Sequence, residues 1–481
     1  MTDTPALIFS EAPFSSWAWI GAAAVAVLQW TLIPHLLAQR NKSPNAMLAW
    51  LWAILLFPVL GALFYLLMGS ERLHRRRLRL VHDLERQRGK LRQRVACKVM
   101  DRIPELARIN GFEPACGNHA TMLPDGESFF AAMLEMIHNA RRHLHVEFYI
   151  WNRDEAGRQV RDALAEAAER GVEVRVLLDE MGSVSMFRHF FRRLPAAGSR
   201  FSWFHTFAPL KGRIHLNLRN HRKLVIADGT EALTGGINVG NEYWTGEKPD
   251  KPPYRDLGLR IKGPVVEQLS AVFAEDWYFA TGEALLSNEL YYPENPPAGD
   301  MEIQVVPGGP DNDLNEIQLT VLAILQRAKK SVRLITPYFV PEDAILSTLL
   351  LAAMRGVKIE LMVPAKGDHG YLTHVTRSFY EDLLPYGIRI FEYQPGMLHA
   401  KLGIFDGHSV MCGSANLDVR SLRINFELNV AVISEPLAKE FDAYFEDNLR
   451  HCREVTLEEH QRRGFRAKFL EAIFRPLASL L

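Results

Sequence analysis

The sequence reads His221-Arg222-Lys223, then Asp228, then Gly235-Gly236-Ile237-Asn238. This stretch decides the fold of the chain, because its pattern occurs a second time. The second copy reads His399-Ala400-Lys401, then Asp406, then Gly413-Ser414-Ala415-Asn416, at identical spacing. Both copies fit H-x-K-x4-D-x6-G-[GS]-x-N, and chance rarely places so long a pattern twice in one chain. We therefore predict two similar halves that each deliver the same polar side chains.

The sequence around each copy supports this internal repeat. In each half the apolar pattern predicts a strand, a helix and a further strand, at 142–150, 160–168 and 170–179 and again at 331–338, 346–354 and 355–363. Gly171 and Gly356 stand where each helix is expected to end. Units of this kind predict an α/β fold with mixed, mostly parallel sheets.

The length of the chain suits more than one domain. At 481 residues the chain is long enough for two or three. We predict that the first half covers residues 110–290 and the second half residues 300–481. The run Tyr292–Gly299, rich in Pro, Asn and Gly, is the expected join.

Two apolar segments precede the repeat. Residues 14–37 and 46–68 contain no Asp, Glu, Lys or Arg. A helix of about 23 residues spans about 34 Å, against about 30 Å for a bilayer core. We therefore predict that residues 1–69 form a transmembrane helical hairpin. A cleaved signal peptide is disfavoured because no basic region precedes it, and two buried core helices are a further alternative.

A basic stretch follows these segments. Between Ser70 and Arg94 the basic residues far outnumber the acidic ones, so residues 70–109 are predicted to be a basic juxtamembrane linker. Such a stretch favours the cytoplasmic side of a bacterial inner membrane and can hold anionic lipids, although Arg40 and Lys42 favour the opposite orientation. The formal net charge of the whole chain is zero, which argues against a nucleic-acid partner.

The doubled motif carries the chemistry of a phosphodiester transfer. In H-x-K the histidine and lysine point to the same face of a strand. One neutral histidine can attack phosphorus and the other, protonated, can protonate the leaving alkoxide. Four donors can neutralise the phosphate oxygens, so we expect neither a metal ion nor another cofactor; they are Lys223, Asn238, Lys401 and Asn416.

These motifs resemble the HKD signature of the phospholipase D superfamily. Together with the apolar N-terminal segments, the chain is similar to bacterial cardiolipin synthases of that superfamily from about Arg40 to the C-terminus. The resemblance includes Thr336-Pro337-Tyr338-Phe339, Leu398-His399-Ala400-Lys401 and the run from Ser414 to Ser421. It implies a phosphatidyltransferase that joins two phosphatidylglycerol molecules into cardiolipin and glycerol through a phosphohistidine.

The resemblance also implies residue roles. His221 is the expected nucleophile. The motif aspartates Asp228 and Asp406 are grouped with the catalytic motif, and the resemblance implies that they are structural or orienting more than directly catalytic. Asp256 and Glu427 resemble the acids that hold the second nitrogen of each catalytic imidazole. The first copy has Gly236 where the second has Ser414, whose hydroxyl is expected to contact phosphate or support the site.

Other functions share these motifs. A phospholipase D that uses water as acceptor is the nearest alternative, followed by a membrane-tethered phosphodiesterase or nuclease and by a non-catalytic lipid-binding scaffold. The sequence leaves open whether phosphatidylethanolamine is a second donor and how many chains associate.

Two further features give expectations. The cysteines Cys97, Cys116, Cys412 and Cys452 have no metal-ligand spacing, so we expect free thiols. The C-terminal stretch 457–481 mixes basic and large apolar residues, which predicts an amphipathic helix that packs on its own domain or lies on a membrane surface.

Overall fold

A computed structural model describes most of the chain. The described residues are 16–38, 44–66, 108–109, 111–183, 189–204, 207–208, 213–214, 218–246, 248, 251–286, 288–310, 314–368 and 370–476. The chain divides into two compact units, the first formed by residues 1–75 with 207–217 and the second by residues 76–206 with 218–481. The predicted basic stretch at 70–94 and most of the predicted linker lie outside the described residues.

The first unit contains three helices, α1 (Ser16–Leu37), α2 (Pro44–Leu56) and α3 (Pro58–Phe64). The prediction of one continuous helix over 46–68 is wrong, because the chain leaves the helical conformation at Phe57 (φ −128°), before Pro58. At 13 residues, α2 is about 20 Å long, short of a bilayer core. Among the described helices, none combines the length and the apolar character needed to cross a membrane.

These three helices form a small apolar cluster. Leu36, Ile54 and Tyr65 are fully buried in it. Nδ1 of His35 lies 2.8 Å from the hydroxyl of Tyr65, which ties the end of α1 to the end of α3. The same unit includes two short paired strands, Phe207–Ala208 and Arg213–Ile214, which are β5 and β6 in chain order.

The second unit is built on one large mixed sheet of fifteen strands within the described residues. Its strands are β1 (Ala115–Leu123), β2 (His143–Phe148), β3 (Glu173–Asp179), β4 (Arg200–Phe204), β7 (Leu224–Ala227), β8 (Glu231–Gly235), β9 (Gly258–Lys262), β10 (Met301–Gly308), β11 (Ser331–Ile335), β13 (Lys358–Pro364), β14 (Arg389–Tyr393), β15 (Leu402–Phe405), β16 (Ser409–Gly413), β18 (Glu427–Ile433) and β19 (Cys452–Val455). The strands β12 (Phe339–Val340) and β17 (Leu417–Asp418) pair separately. The order across the large sheet is β19-β14-β13-β11-β15-β16-β18-β10-β1-β9-β8-β7-β2-β3-β4, so the two halves meet where β10 pairs with β1.

The predicted α/β fold and internal repeat are confirmed, but the prediction of a mostly parallel sheet is wrong. The parallel neighbours are β2–β3, β3–β4, β11–β13 and β13–β14, and the other neighbours in the large sheet are antiparallel. Each motif itself forms an antiparallel hairpin, β7–β8 and β15–β16, which reverses the chain at Asp228 and Asp406. Long-range antiparallel pairs then join the halves.

Helices cover both faces of this sheet. They are α4 (Gly126–Asn139), α5 (Glu155–Glu169), α6 (Arg193–Ala196), α7 (Asn241–Trp244), α8 (Val266–Thr281), α9 (Glu316–Arg327), α10 (Asp343–Met354), α11 (Gly370–Ser378), α12 (Tyr380–Leu383), α13 (Val419–Arg423), α14 (Glu435–Leu449), α15 (Leu457–Gln461) and α16 (Phe465–Phe474). Short 3-10 turns occur at Phe190–Arg192, Glu289–Tyr291 and Leu384–Tyr386. Because both faces are covered, every residue of β2 is buried.

Local signals end the helices as the sequence predicts. Gly171 (φ 92°) and Gly356 (φ 89°) follow α5 and α10 in the left-handed conformation that glycine adopts without steric cost.

The expectation of free thiols is confirmed for Cys412 and Cys452 but is wrong for Cys116, which is disulfide-bonded.

Candidate active site

The two motifs lie at equivalent positions in the two halves. His221 and Lys223 immediately precede β7, and His399 and Lys401 immediately precede β15. The amide of His221 donates to the carbonyl of Phe426 over 2.8 Å, and the amide of His399 donates to the carbonyl of Arg255 over 2.8 Å. Each motif is therefore held by a segment of the opposite half.

The acid behind each imidazole also comes from the opposite half. Nδ1 of His221 lies 2.9 Å from Oε2 of Glu427, and Nδ1 of His399 lies 2.6 Å from Oδ2 of Asp256. Both carboxylates are buried, at 0% and 1% exposure. Each pair fixes the proton on Nδ1 and directs Nε2 away from the acid. The structure thus brings Asp256 and Glu427 to the positions that the sequence resemblance implies.

Burial controls the charge of both imidazoles. Burial lowers the pKa of His221 to about 4, although the carboxylate of Glu427 opposes the shift. Burial, together with the ammonium of Lys401, also lowers the pKa of His399. Both rings are therefore neutral near pH 7, which is the form that a nucleophilic imidazole requires.

The two lysines are fully buried beside the histidines. Burial lowers the pKa of Lys223 to about 7 and that of Lys401 to about 8. Nζ of Lys223 donates to the carbonyl of His221 over 2.6 Å and lies 5.4 Å from the centroid of the Tyr149 ring. A bound phosphate would supply the negative charge that keeps both ammonium groups protonated.

The surroundings of the two imidazoles differ at Nε2. Nζ of Lys401 lies 2.7 Å from Nδ1 and 3.2 Å from Nε2 of His399. Because the single hydrogen on Nδ1 points to Asp256, we assign the donation from Lys401 to Nε2. Within the described part of the chain, Nε2 of His221 accepts no hydrogen bond. The lone pair of His221 is therefore the more available of the two.

The asparagines of the motif occupy unequal environments. Oδ1 of Asn238 accepts from the amide of Ile150 over 3.1 Å, and its Nδ2 donates to the hydroxyl of Tyr243 over 2.9 Å. Oδ1 of Asn416 is buried without a hydrogen-bond partner in the described residues. Asn238 is thus fixed by its surroundings, whereas Asn416 retains an open hydrogen-bonding position.

Ser414 and Gly236 support the two acids in different ways. The hydroxyl of Ser414 donates to Oε2 of Glu427 and accepts from the amide of Leu428 over 2.9 Å. A Cβ at Gly236 would overlap the carboxylate of Asp256. Ser414 therefore supports Glu427, the acid behind His221. Two roles were expected for its hydroxyl, contact with phosphate or support of the site, and these contacts favour support of the site.

The motif aspartates do not join this cluster. Asp228 (φ 54°) and Asp406 (φ 55°) form the hairpin turns at the far ends of β7 and β15. Four strand residues separate each from its lysine, a span of about 16 Å. Their carboxylates accept backbone amide hydrogens, from residues 141–143 and 329–331 respectively. These contacts agree with the structural role that the resemblance implies, and they do not support grouping Asp228 and Asp406 with the residues that carry the chemistry.

Two tyrosines at the site were missed from the sequence. The ring centroid of Tyr149 lies 4.6 Å from that of His221. The hydroxyl of Tyr243 lies 3.5 Å from Nδ1 of His399. Tyr149 directly follows β2, and a polar residue just beyond the carboxyl end of a buried strand is the signal that could have identified it. Tyr243 lies in the short helix α7 and has no such signal.

The two H-x-K motifs lie close together, since the ammonium of Lys401 lowers the pKa of His221 and the ammonium of Lys223 lowers that of His399. Within the described residues, no group of three or more His, Cys, Asp or Glu side chains is arranged to hold a metal ion. A doubled α/β scaffold that pairs two H-x-K motifs, each backed by an acid of the opposite half, defines the phospholipase D superfamily, to which the chain belongs.

Comparisons with known proteins narrow this class. A family described as "Cardiolipin synthase, PLD-like domain" matches residues 133–277 and 321–449, and a family described as "Phospholipase D-nuclease N-terminal" matches residues 18–70. The major cardiolipin synthase ClsA of Bacillus subtilis is 34% identical over 92% of this chain and 95% of its own length. The cardiolipin synthase of Geobacillus kaustophilus is 33% identical over 93% of this chain and 91% of its own. The chain therefore belongs to the bacterial cardiolipin synthase family.

A solved structure supports the fold independently. Phosphatidylserine synthase of Haemophilus influenzae superposes with a TM-score of 0.58, covering 82% of this chain and 97% of that protein at 15% identity. At this identity the similarity concerns the fold alone.

Proposed function

We propose that the protein is a cardiolipin synthase, a phosphatidyltransferase that converts two phosphatidylglycerol molecules into one cardiolipin and one glycerol. The single observation that carries the proposal is the pairing of His221 and His399 with acids from opposite halves, in a chain of the cardiolipin synthase family. One phosphodiester replaces another, so no nucleotide is required.

In the first step, Nε2 of His221 attacks the phosphorus of one phosphatidylglycerol. A P–N bond forms, and the P–O bond to the headgroup glycerol breaks. The leaving alkoxide takes a proton from Nε2 of His399, so that free glycerol departs. Burial lowers the pKa of His399, and the negative charge of a bound phosphodiester raises it again.

In the second step, a hydroxyl of the second phosphatidylglycerol attacks the phosphohistidine. His399 takes the proton of this hydroxyl, the P–N bond breaks and cardiolipin forms. Lys223, Lys401 and Asn416 stabilise the charge that develops on the non-bridging oxygens. Glu427 holds the imidazole of His221 through both steps, and Asp256 does the same for His399.

The first unit is proposed to anchor the protein in the bacterial inner membrane. Large apolar side chains on its helices are exposed, among them Trp30 at 80%, Trp52 at 58% and Phe57 at 62%. Exposed apolar side chains in such number are characteristic of surfaces that contact lipid. The substrates reside in the same bilayer.

The catalytic unit is proposed to face the cytoplasm, because basic residues dominate between Ser70 and Arg94. The opposite orientation would place it on the outer side of the membrane. A cysteine placed at the exposed position Lys439 distinguishes the two orientations in intact cells. We expect this cysteine to react with a membrane-impermeant maleimide only after the cells are lysed. Labelling in intact cells would show that the catalytic unit has the opposite orientation.

The test of the proposed function uses the purified full chain in detergent–lipid micelles with phosphatidylglycerol as the only phospholipid. Mass spectrometry is expected to detect cardiolipin and free glycerol, and both products should be lost in His221→Ala and His399→Ala. Phosphatidic acid as the sole product would instead identify a hydrolase.

The roles of the two histidines are then distinguished by trapping the covalent intermediate. Brief reaction followed by denaturation at alkaline pH, where phosphohistidine survives, should leave a phosphatidyl adduct on His221. His399→Ala is expected to retain a slowly formed adduct on His221, whereas an adduct on His399 in wild type would reverse the two roles.

A further inference from the structure

The C-terminal helix α16 exposes a continuous apolar stripe. Phe465, Phe469 and Ile473 follow one another at intervals of four residues, so their side chains lie along one face. They are 78%, 51% and 49% exposed, and the rings of Phe465 and Phe469 stack with centroids 5.6 Å apart. Large apolar side chains of a soluble surface are normally scattered singly, so this grouping requires a partner.

The opposite face of α16 is firmly packed. Phe474 stacks on the ring of His374 in α11 at 5.8 Å between centroids. A guanidinium nitrogen of Arg475 donates to the carbonyl of Ser378 over 2.9 Å, and the buried Glu471 pairs with Arg463. The stripe is therefore exposed because the helix is fixed with this face outward.

Cations flank the stripe. Arg466 and Lys468 are exposed, and the 3.6-residue period of the helix places them on either side of Phe469. Within the described part of the chain neither has a carboxylate partner. Aromatic side chains bordered by unpaired cations complement a surface that is apolar inside and anionic at its edge.

The helix on which α16 packs begins beside residues that act on the active site. Helix α11 contacts α16 and begins two residues after Asp368, whose carboxylate accepts the hydroxyl of Tyr338 over 2.6 Å. Asp368 is near enough to Lys401 to act on its charge. Helix α16 therefore packs on the helix that follows this part of the site.

We propose that α16 is an interfacial helix whose stripe of Phe465, Phe469 and Ile473 inserts shallowly into a bilayer of anionic phospholipid. Arg466 and Lys468 bind the headgroups. The identity of the lipids rests on the proposed function, whereas the insertion itself rests on the surface of α16. A second copy of this chain is the competing occupant, and the unpaired cations disfavour it because two such stripes would bring like charges together.

The kinetic test compares two forms of phosphatidylglycerol with the full chain. The triple variant Phe465→Ser/Phe469→Ser/Ile473→Ser is expected to convert long-chain phosphatidylglycerol in vesicles at least about tenfold more slowly than wild type. It should turn over dihexanoyl-phosphatidylglycerol, dissolved below its micellar concentration, at the wild-type rate. Arg466→Glu/Lys468→Glu should show a smaller vesicle defect that disappears at high salt.

A matched control lies on α10. Leu351 and Met354 are 58% and 62% exposed, so Leu351→Ser/Met354→Ser removes a comparable apolar surface away from the stripe. This variant should match wild type on both substrates. Equal losses on both substrates in the α16 variant, or no loss on vesicles, would overturn the proposal. A vesicle defect accompanied by a change in oligomeric state would assign the stripe to a second copy.

A measurement that requires no turnover tests the insertion of α16 independently of the proposed function. In a Cys452→Ala background, a nitroxide attached to Phe469→Cys should become more accessible to oxygen when vesicles containing phosphatidylglycerol are added. The same label on Met354→Cys should not change. This contrast is expected even if the enzyme forms a product other than cardiolipin, and its absence would exclude insertion.

Discussion

At the scale of single residues, the two copies of the motif differ at one position that bears on catalysis. Glycine at 236 leaves room for the short carboxylate of Asp256, whereas serine at 414 donates to the longer Glu427. Gly236→Ser is therefore expected to displace Asp256 and to lower kcat at least about a hundredfold through His399. The change in kcat is measured from turnover in micelles of phosphatidylglycerol.

Ser414→Ala is the matched change in the other copy. It removes one hydrogen bond to Glu427 but leaves the pair with His221 in place, so a loss of about tenfold is expected. Wild-type turnover in Gly236→Ser would show that Asp256 does not orient His399. Ser414→Ala should keep the melting temperature of wild type within a few degrees, whereas Gly236→Ser is expected to lower it, because its Cβ overlaps the buried carboxylate of Asp256. The kcat of both variants is therefore measured at a temperature at which both are folded.

A second residue-scale prediction concerns a buried histidine outside the site. His145 is stacked on Phe273 at 4.6 Å between centroids, and neither ring nitrogen has a hydrogen-bond partner in the described residues. Burial lowers its pKa well below 6.5, with the neighbouring His143 adding to the shift. Its ring is protonated more readily in the unfolded chain, so it destabilises the fold as pH falls below about 6.5.

His145→Phe removes this penalty and keeps the stacked ring. The variant is expected to be more stable than wild type by about 1–3 kcal/mol, and the gain should be larger at pH 5 than at pH 8. Urea unfolding at the two pH values measures it. A gain that is larger at the alkaline pH would contradict the neutral buried ring.

The sequence predicts residues well where the chemistry repeats. The spacing of the repeated motif alone identifies His221, Lys223, His399 and Lys401. The expectation that they lie in a strand is wrong, because they immediately precede β7 and β15. Tyr243 could not be found, because it reaches His399 from a short helix 156 residues away in the chain. Contacts of that kind depend on how the halves dock, which no local pattern encodes.

At the scale of elements, the motif aspartates link a hairpin turn to the strand beside it. The carboxylate of Asp406 accepts three backbone amides, at 2.7 to 3.0 Å for the closest contact of each, just before β11. Burial alone would raise its pKa, but these amides hold it below its ordinary value. The same arrangement recurs at Asp228 before β2.

Asp406→Asn and Asp228→Asn test this structural role. Asparagine tolerates the positive φ of these turns, so the change removes mainly the charge, at an expected cost of about 1–3 kcal/mol in the free energy of unfolding. The kcat of the folded enzyme should remain within about twofold of wild type. A large loss of kcat with unchanged stability would return both aspartates to the catalytic group.

The sequence predicts which segments are helices and which are strands better than it predicts whether neighbouring strands are parallel or antiparallel. The strand–helix–strand order is visible in apolar periodicity, as at β2, α5 and β3. The antiparallel pairs β1–β10 and β10–β18 join segments far apart in the chain, so local periodicity carries no information on their direction. The end of α2 at Phe57 shows a further failure, since a strongly apolar run concealed the effect of Pro58.

At the scale of the whole molecule, Arg222 joins the two halves behind the active site. Its guanidinium donates to the carbonyls of Glu427 and Gly308, each over 3.0 Å, and pairs with the buried Asp276. Glu147 lies in the same cluster, and burial together with Asp276 raises its pKa well above 4.5. One guanidinium thus faces two buried carboxyl groups, while it holds the backbone of the residue that supports His221.

Arg222→Met should destabilise the fold by about 3–5 kcal/mol, because it leaves Asp276 buried without a counter-charge. Adding Asp276→Leu should recover most of that stability, since it removes the unpaired carboxylate. Turnover should not recover in the double variant, because the carbonyl of Glu427 has lost its donor and the acid is no longer fixed against His221. Thermal unfolding and kcat, measured on the same preparations, separate the two effects. Recovery of both would mean that Arg222 serves stability alone, whereas recovery of stability without turnover shows that the contact between the halves positions the catalytic histidine.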